Sequence, residues 1–396
     1  MLIDLSGNPL GFQGGQSRLG RLLVWTGGAT RKAEGTYPAV LVLTAVRELV
    51  RLLVFAVAAA RCKIFIYSGY SSFYELRELR LLRRLGKIII FQTFGSDIRP
   101  AYMNGAMIDQ IQPGPELVAY TRLQKERMRI IETHAHVLIA HPPTAWFAER
   151  LFVPYLKLGT ATPRPPADEA QDWPRADGRV RLLHCPTKPT AKGTPEIRRV
   201  VERLRESGVE FEYTEVIGKP NAEVRRELVR CDLVVDQLYS DSPLAGLATE
   251  AAWYGRPALV AGYMREEALR GLSSEELPPT VFCSPEELQE RLRWLIEDRQ
   301  AREDLGRRVR EYVSRRLSPA RIASRYLSLA AGETTAAWFC DPYSLGTPTG
   351  VGFSPEKFRL ALRTYLEAGG PEALQLDDKP AAREALIDQA RASSPA

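Results

Sequence analysis

Residues 232–262, DLVVDQLYSDSPLAGLATEAAWYGRPALVAG, open on an apolar strand and pass through a turn of small residues. A helix follows whose first turn holds Thr249 and Glu250; Gly255, Arg256 and Pro257 break it, and "ALVAG" resumes as a strand. Strand, turn, helix and strand within one short stretch read as a βαβ unit with both strands parallel in one sheet. A carboxylate at the helix start complements the helix dipole. The same place, beyond the C-terminal end of a strand, is also where a doubly wound sheet binds its ligands. Glu250 admits both readings.

The alternation continues outward. "VRLLHCPT" (180–187) and "VEFEYTEVIG" (209–218) read as strands, with "TPEIRRVVERLRESG" (194–208) and "NAEVRRELVRC" (221–231) as helices. Upstream, "KIFIYSGY" (63–70), "KIIIFQTFGSD" (87–97, a strand with its outgoing loop) and "HVLIAH" (136–141) are strands, and "FYELRELRLLRRLG" (73–86) is an amphipathic helix. Apolar strands alternating with helices predict an α/β fold on parallel sheets. At 396 residues the chain is long for one core, and the Pro-rich "TPRPPADEAQDWPRADG" (162–178) lacks periodicity, as a hinge would. The expected division is a domain over 1–160, a linker over 161–178, a domain over 179–330, and C-terminal helices with a tail over 331–396. The apolar run at 38–67 is interrupted by Arg47, Glu48, Arg51, Arg61 and Lys63. Its uncharged stretch, 52–60, falls well short of the roughly 20 residues that span a bilayer. It reads as a core helix feeding a strand, and its arginines leave open a seat on an anionic membrane surface.

Composition narrows the class. Hydrophobic residues at 45% and charged residues at 26% suit a folded globular chain and argue against disorder. Five cysteines (62, 185, 231, 283, 340) without CxxC or CxxH spacing read as buried thiols of a reducing compartment. With no signal-like N-terminal segment, a cytoplasmic location is expected, with peripheral contact at the inner face of the membrane as a further expectation. The formal charge of +6 is uneven: residues 1–160 hold 20 Lys and Arg against 11 Asp and Glu, a net +9, which leaves −3 for the rest. A basic first half suits nucleic acid, an anionic membrane face, a phosphorylated ligand, or plain solvated surface. Dispersal of these residues among apolar helices argues against nucleic acid. The four histidines (134, 136, 141, 184) form no HExxH, and neither GxSxG nor a diphosphate-metal DxD occurs, so no metal site is expected.

Candidate ligand contacts gather at strand ends. In "HCPTKPTAKGT", Lys188 and Lys192 lie in a loop, Gly193-Thr194 starts a helix, and Thr194 reads as its N-cap with Pro195 at the first helical position. Cations approaching a helix N-terminus make a phosphate site; a capped surface helix with solvated lysines is the plainer alternative. In the opening stretch, turn amides near Ser242 and Gly246 would face a phosphate, and Glu250 would accept from a ribose diol. In "FQTFGSDIRP" (91–100), Gly95, Ser96 and Asp97 end a strand. Asp97 and Arg99 share a face in extended chain, as an ion pair or as groups of a cleft. Gly14 and Gly15, before a helix in "GNPLGFQGGQSRLGRLL", would admit a ligand close to the backbone, without a GxGxxG pattern.

In order and mutual spacing these segments resemble the GT-B glycosyltransferases of the family 4-like, group 1 type. The likeness runs from about residue 60 to about residue 265. It rests on "LLHCPTKPTAKGTPEI", "CDLVVDQLY", "EAAWYGRPALV" and "LRRLGKIIIFQTFGSDIRP". The resemblance implies two Rossmann-like domains facing across a cleft. It further implies transfer of a sugar from a nucleotide-diphosphate sugar to a glycan, lipid-linked or small-molecule acceptor, with retention and without a metal or other cofactor. By carry-over, Glu250 binds the donor ribose and Lys188 and Lys192 neutralise the departing diphosphate. Gly193, Thr194, Ser242, Gly246 and Thr249 complete the donor side, Asp97 and Arg99 are the catalytic candidates, and Gly14, Gly15, Gly95 and Ser96 form the cleft loops. The family's first glutamate, eight residues before Glu250, is Ser242 here, and its histidine before Gly-Ser-Asp is Phe94. These departures keep an alternative open: a catalytically degenerate GT-B protein that binds a nucleotide sugar or a partner without turnover.

Overall fold

Parallel pairing begins at the first strands. The computed structural model describes residues 37–69, 71–160, 165 and 178–392, with side chains from residue 40 onward. Gly14 and Gly15, and nearly all of 161–178, lie outside the described residues. The chain divides into two compact units, Met1–Phe94 with Arg129–Ile139, and Gly95–Met128 with Ala140–Ala396.

In the first unit α1 (Tyr37–Arg61) leads into β1 (Ile64–Ser68), α2 (Arg77–Arg84) and β2 (Ile88–Gln92), and the returning chain adds β3 (Val137–Ala140). The strands pair parallel in sequence order, Ile64 beside Ile88 and Ile90 beside Val137. Ile89, Ile90 and Phe91 of β2 are fully buried, whereas β1 buries only Phe65 and Tyr67 and exposes Ile66. His136 sits in this ladder, its Nδ1 accepting from the Ile89 amide at 3.0 Å.

Two expectations change here. The helix anticipated over 73–86 begins only at Arg77, because Leu76 takes a left-handed conformation (φ 71°). Glu78 turns back to accept from the amides of Phe73 and Tyr74, so the preceding residues form a turn. The stretch at 38–67 is a helix feeding a strand, but not a core helix on all sides. Val54, Phe55 and Ala58 are buried while Leu41, Val42, Val46, Leu49, Leu52 and Leu53 are exposed.

The second unit contains α3 (Gly105–Ile108), the N-terminal part of α4 (Pro115–His134), the short β4 (Val153–Pro154) and α5 (Tyr155–Leu158). A doubly wound sheet follows: β5 (Val180–His184), α6 (Thr194–Glu206), β6 (Phe211–Glu215), α7 (Asn221–Arg230), β7 (Leu233–Val235), α8 (Gly246–Trp253), β8 (Ala258–Ala261), α9 (Arg265–Leu269) and β9 (Val281–Cys283). All pairings are parallel, in the order β6-β5-β7-β8-β9. Alternate strand residues feed two cores. Leu183, Val234, Val260 and Phe282 pack with Leu228 of α7 and Ala248 and Ala252 of α8. Leu182, Val235, Leu259 and Ala261 pack with Ile197 and Val201 of α6 and with Leu292 of α10 (Leu288–Glu297).

Beyond α10, α11 (Arg299–Arg316), α12 (Pro319–Ala331), α13 (Pro355–Gly369) and α14 (Pro380–Arg391) complete the chain. The last two and the turn between them pack inward: Leu362, Tyr365, Leu374 and Leu386 are fully buried. The Tyr102 hydroxyl donates to the Leu374 carbonyl at 3.1 Å. Lys125, 1% exposed, pairs with Glu149 at 2.8 Å and Asp378 at 3.1 Å.

Candidate functional site

The order β6-β5-β7 means that the chain leaves β5 toward one side of the sheet and later returns to its other side at β7. At such a reversal the loops after the two strands diverge and leave a crevice at their C-terminal ends, the general ligand position of doubly wound sheets. The loop after β5 carries Lys188, Lys192 and Gly193; the loop after β7 runs from Asp236 to the start of α8.

Side-chain contacts tie these two loops together. The Lys192 ammonium donates to Gln237 Oε1 and lies 3.7 Å from Asp236 Oδ1. Asp236 Oδ2 accepts from the Ala248 amide at 3.3 Å, occupying one free donor of the α8 N-terminus. Gln237 donates to the Ser240 hydroxyl, which accepts from the Ser242 amide at 3.0 Å and donates to the Ser242 carbonyl at 2.8 Å. The loop therefore has a fixed course. Gly193 is the N-cap of α6 at φ 71°, and a Cβ there would stand 2.5 Å from Leu238 Cβ. That left-handed, crowded position requires glycine.

Thr194 behaves differently from its expected capping role. It is the first helical residue and is fully buried, with its hydroxyl donating to His184 Nε2 at 2.9 Å. His184 Nδ1 donates in turn to the Val235 carbonyl at 2.9 Å. This chain bolts the α6 start to β5 and β7. Burial pushes the His184 pKa down, so the imidazole stays neutral.

Glu250 lies one turn into α8, not in its first turn as expected, because the helix already starts at Gly246; it accepts from Asn221 Nδ2, at the start of α7, at 3.0 Å. Burial raises its pKa, and the Asn221 hydrogen bond and the nearby Arg225 charge oppose that rise. Gly246 opens the same helix, is exposed, and has open space where a Cβ would stand. Thr249 spends its hydroxyl on the Ala245 carbonyl at 2.8 Å. The Gly-Arg-Pro break has a structural task. Gly255, at φ 70°, ends α8, and the buried Arg256 donates to the Leu228 and Val229 carbonyls near the end of α7, at 3.2 and 2.7 Å.

The turn at 95–99 belongs to the same unit. Gly95 has φ 132°, and Asp97 Oδ1 accepts its amide at 2.8 Å, closing the turn on itself. Arg99 forms its ion pair with Asp241 of the loop after β7. Burial pulls the Arg99 pKa down to about 10, partly restored by Asp97, so the guanidinium stays charged at neutral pH. His141 Nε2 donates to the Asp241 backbone carbonyl. Burial, then the Arg99 charge, push the His141 pKa down to about 3, which holds the ring neutral. Arg99 Nε, His141 Nδ1 and Gln124 Oε1 are buried and have no hydrogen-bond partner among the described residues. Gln124 donates to the carbonyls of Ser96 and Arg99, which puts it at this turn too.

Lys192, Gly193, Ser242, Gly246 and Glu250 thus border the reversal, and Arg99 reaches the same loop from the 95–99 turn. Lys188 and Ser96 are exposed, and Ser242 is buried, its Oγ accepting from the Leu244 amide at 3.4 Å. The sequence reading missed Asp236, Gln237, Asp241, Asn221 and His141 as members of this neighbourhood. His141 and Asp236 carried a usable signal, each directly following a strand. Among the described residues no group of three or more His, Cys, Asp or Glu is placed to hold a metal ion, and no helix is long and apolar enough to cross a membrane.

No family model and no curated protein matches the chain. Solved structures to which it is similar include sucrose-phosphate synthase from Thermosynechococcus elongatus, at 14% identity and TM-score 0.47 over 72% of this chain and 78% of that one. Anabaena Alr3699/HepE in complex with UDP and glucose is similar at 12% identity and TM-score 0.43, over 72% and 81%. The apo lipopolysaccharide outer core galactosyltransferase WaaB is similar at 11% identity and TM-score 0.41, over 74% and 82%.

Proposed function

We propose that this chain is a cytoplasmic glycosyltransferase of the GT-B type that moves a sugar from a nucleotide-diphosphate sugar, with retention and without a metal cofactor, to a glycan, lipid-linked or small-molecule acceptor. The observation that carries the proposal is the strand reversal at β5 and β7, where a cation, a helix N-terminus and a half-buried carboxylate stand at the same sheet end. Each suits one part of such a donor. Lys192, with Lys188 on the approach, opposes the diphosphate charge, and the first amides of α8 at Gly246 and Leu247 offer donors to its oxygens. Glu250, oriented by Asn221, accepts from ribose hydroxyls.

Charge developing on the leaving diphosphate is then stabilised by groups already in place, the role a metal plays elsewhere. Arg99 pairs with Asp241 of that loop, and the three unpartnered buried atoms of Arg99, His141 and Gln124 are donors and acceptors available to a polyhydroxylated ligand.

Calorimetric titration with UDP, GDP, ADP and TDP tests the proposal, followed by sugar-release assays on the matching donor with and without EDTA. One nucleotide is expected to bind, with Glu250→Gln and Lys192→Ala each weakening it about 10- to 100-fold, the loss of a hydrogen bond to a charged group. Absence of binding by all four overturns it. The turn of Ser242 into its own loop favours a second reading, a binder without turnover. Nucleotide binding without sugar release across a range of acceptors would decide for that reading.

A further inference from the structure

We infer that the first unit docks on an anionic lipid surface through the uncovered face of α1, which lies in the interface and does not cross it. The helix is two-faced in an unusual sense, because both faces are apolar. Val54, Phe55 and Ala58 turn inward, where Phe55 meets Phe73 with ring centroids 5.2 Å apart. On the other side Val42, Val46, Leu49 and Leu53 recur at helical spacing, with Leu41 and Leu52 beside them. Val42 is 63% exposed, Leu49 61% and Leu53 64%, so these side chains face outward along most of the helix. A leucine stripe of this length on a soluble surface marks a site of interaction.

Charge around the stripe selects the occupant. Residues 37–92 contain nine Lys and Arg against three Asp and Glu, a net +6 that equals the formal charge of the whole chain. The acids are mostly spent: Glu78 is buried on the Phe73 and Tyr74 amides, and Glu48 pairs with Arg51 at 3.1 Å. The bases carried by the helix and its exit are exposed: Arg47 and Arg61 on α1 and Lys63 just after it. A second apolar protein face would be covered by the leucines but would leave this charge uncompensated. An anionic bilayer takes both, with the stripe among the acyl chains and the arginines and lysine at the phosphates.

Flotation of the full chain with vesicles of phosphatidylcholine alone or of phosphatidylcholine and phosphatidylglycerol (60:40) tests this. Binding to the anionic vesicles only, weakened by 0.5 M salt, is expected. Leu49→Glu/Leu53→Glu is expected to lower partitioning more than tenfold, and Arg47→Gln/Arg61→Gln/Lys63→Gln to remove the preference for anionic lipid. Both variants change exposed residues, so their melting temperatures and nucleotide titrations should match the parent. That makes the result independent of the proposed activity, whose residues lie in the second unit. No binding to anionic vesicles, binding unaffected by the leucine pair, or self-association that the leucine pair abolishes would each overturn the inference.

Discussion

Arg99 and Asp241 are 142 residues apart in sequence and form a nearly buried ion pair. Nothing in the local sequence of either announces the other. Asp97 was the visible neighbour, and it proves to close its own turn. A pair of this kind gains little over apolar residues, but removing one partner strands the other charge. Arg99→Ala is therefore expected to destabilise the protein by about 3–5 kcal/mol. Arg99→Met/Asp241→Leu should recover most of that loss in urea denaturation, and equal loss in the single and double variants would refute the coupling. Glu250 and Lys192 were legible because their types and places follow strand ends. Asn221 was not, because its contribution is to orient Glu250 from the start of another helix.

Among the elements, β2, β3, β5, β7 and β8 were legible from sequence because strands buried in a parallel sheet are continuous apolar runs, whereas the short β4 and β9, two and three residues long, were not. The start of α2 was not, since it depends on Glu78 reaching back and on a left-handed Leu76. Nor was the exposed side of α1, because a hydrophobic run does not say which of its faces is covered. Glycine gives a contrast at the loop after β7. A Cβ on Gly262 would stand 1.9 Å from the Ser240 carbonyl oxygen, whereas one on Gly246 meets nothing within 4 Å. Gly262→Ala is expected to cost about 1–3 kcal/mol by overpacking, and to weaken nucleotide binding at least tenfold through displacement of the loop. Gly246→Ala should leave thermal stability unchanged or higher, since alanine favours the helix. It should nevertheless weaken nucleotide binding if phosphate approaches that backbone. Parallel melting and titration of the two variants separates fold from contact.

At the scale of the whole molecule, two buried neutral imidazoles tie stability to acidity. The His141 pKa is pushed down to about 3 and that of His184 is lowered. The unfolded chain takes up their protons near the usual histidine value of about 6.5, while the folded one does not. The His141 contribution is thus intact above about pH 6.5 and falls as pH drops toward 3, by as much as about 1.4 kcal/mol per unit, and His184 acts in the same direction. His141→Gln should make that acid limb shallower in denaturation curves taken between pH 4 and 7; an unchanged slope would show that His141 is protonated in the native state. One further feature governs how the molecule comes to exist. The chain crosses between the two units three times, so residues 95–128 belong with residues synthesised much later. On the ribosome Arg99 and Tyr102 emerge long before Asp241 and Leu374, their partners. That segment must wait, unsatisfied, until the C-terminal half arrives. Fragments severed near residue 170 would each keep one side of these contacts and complete neither.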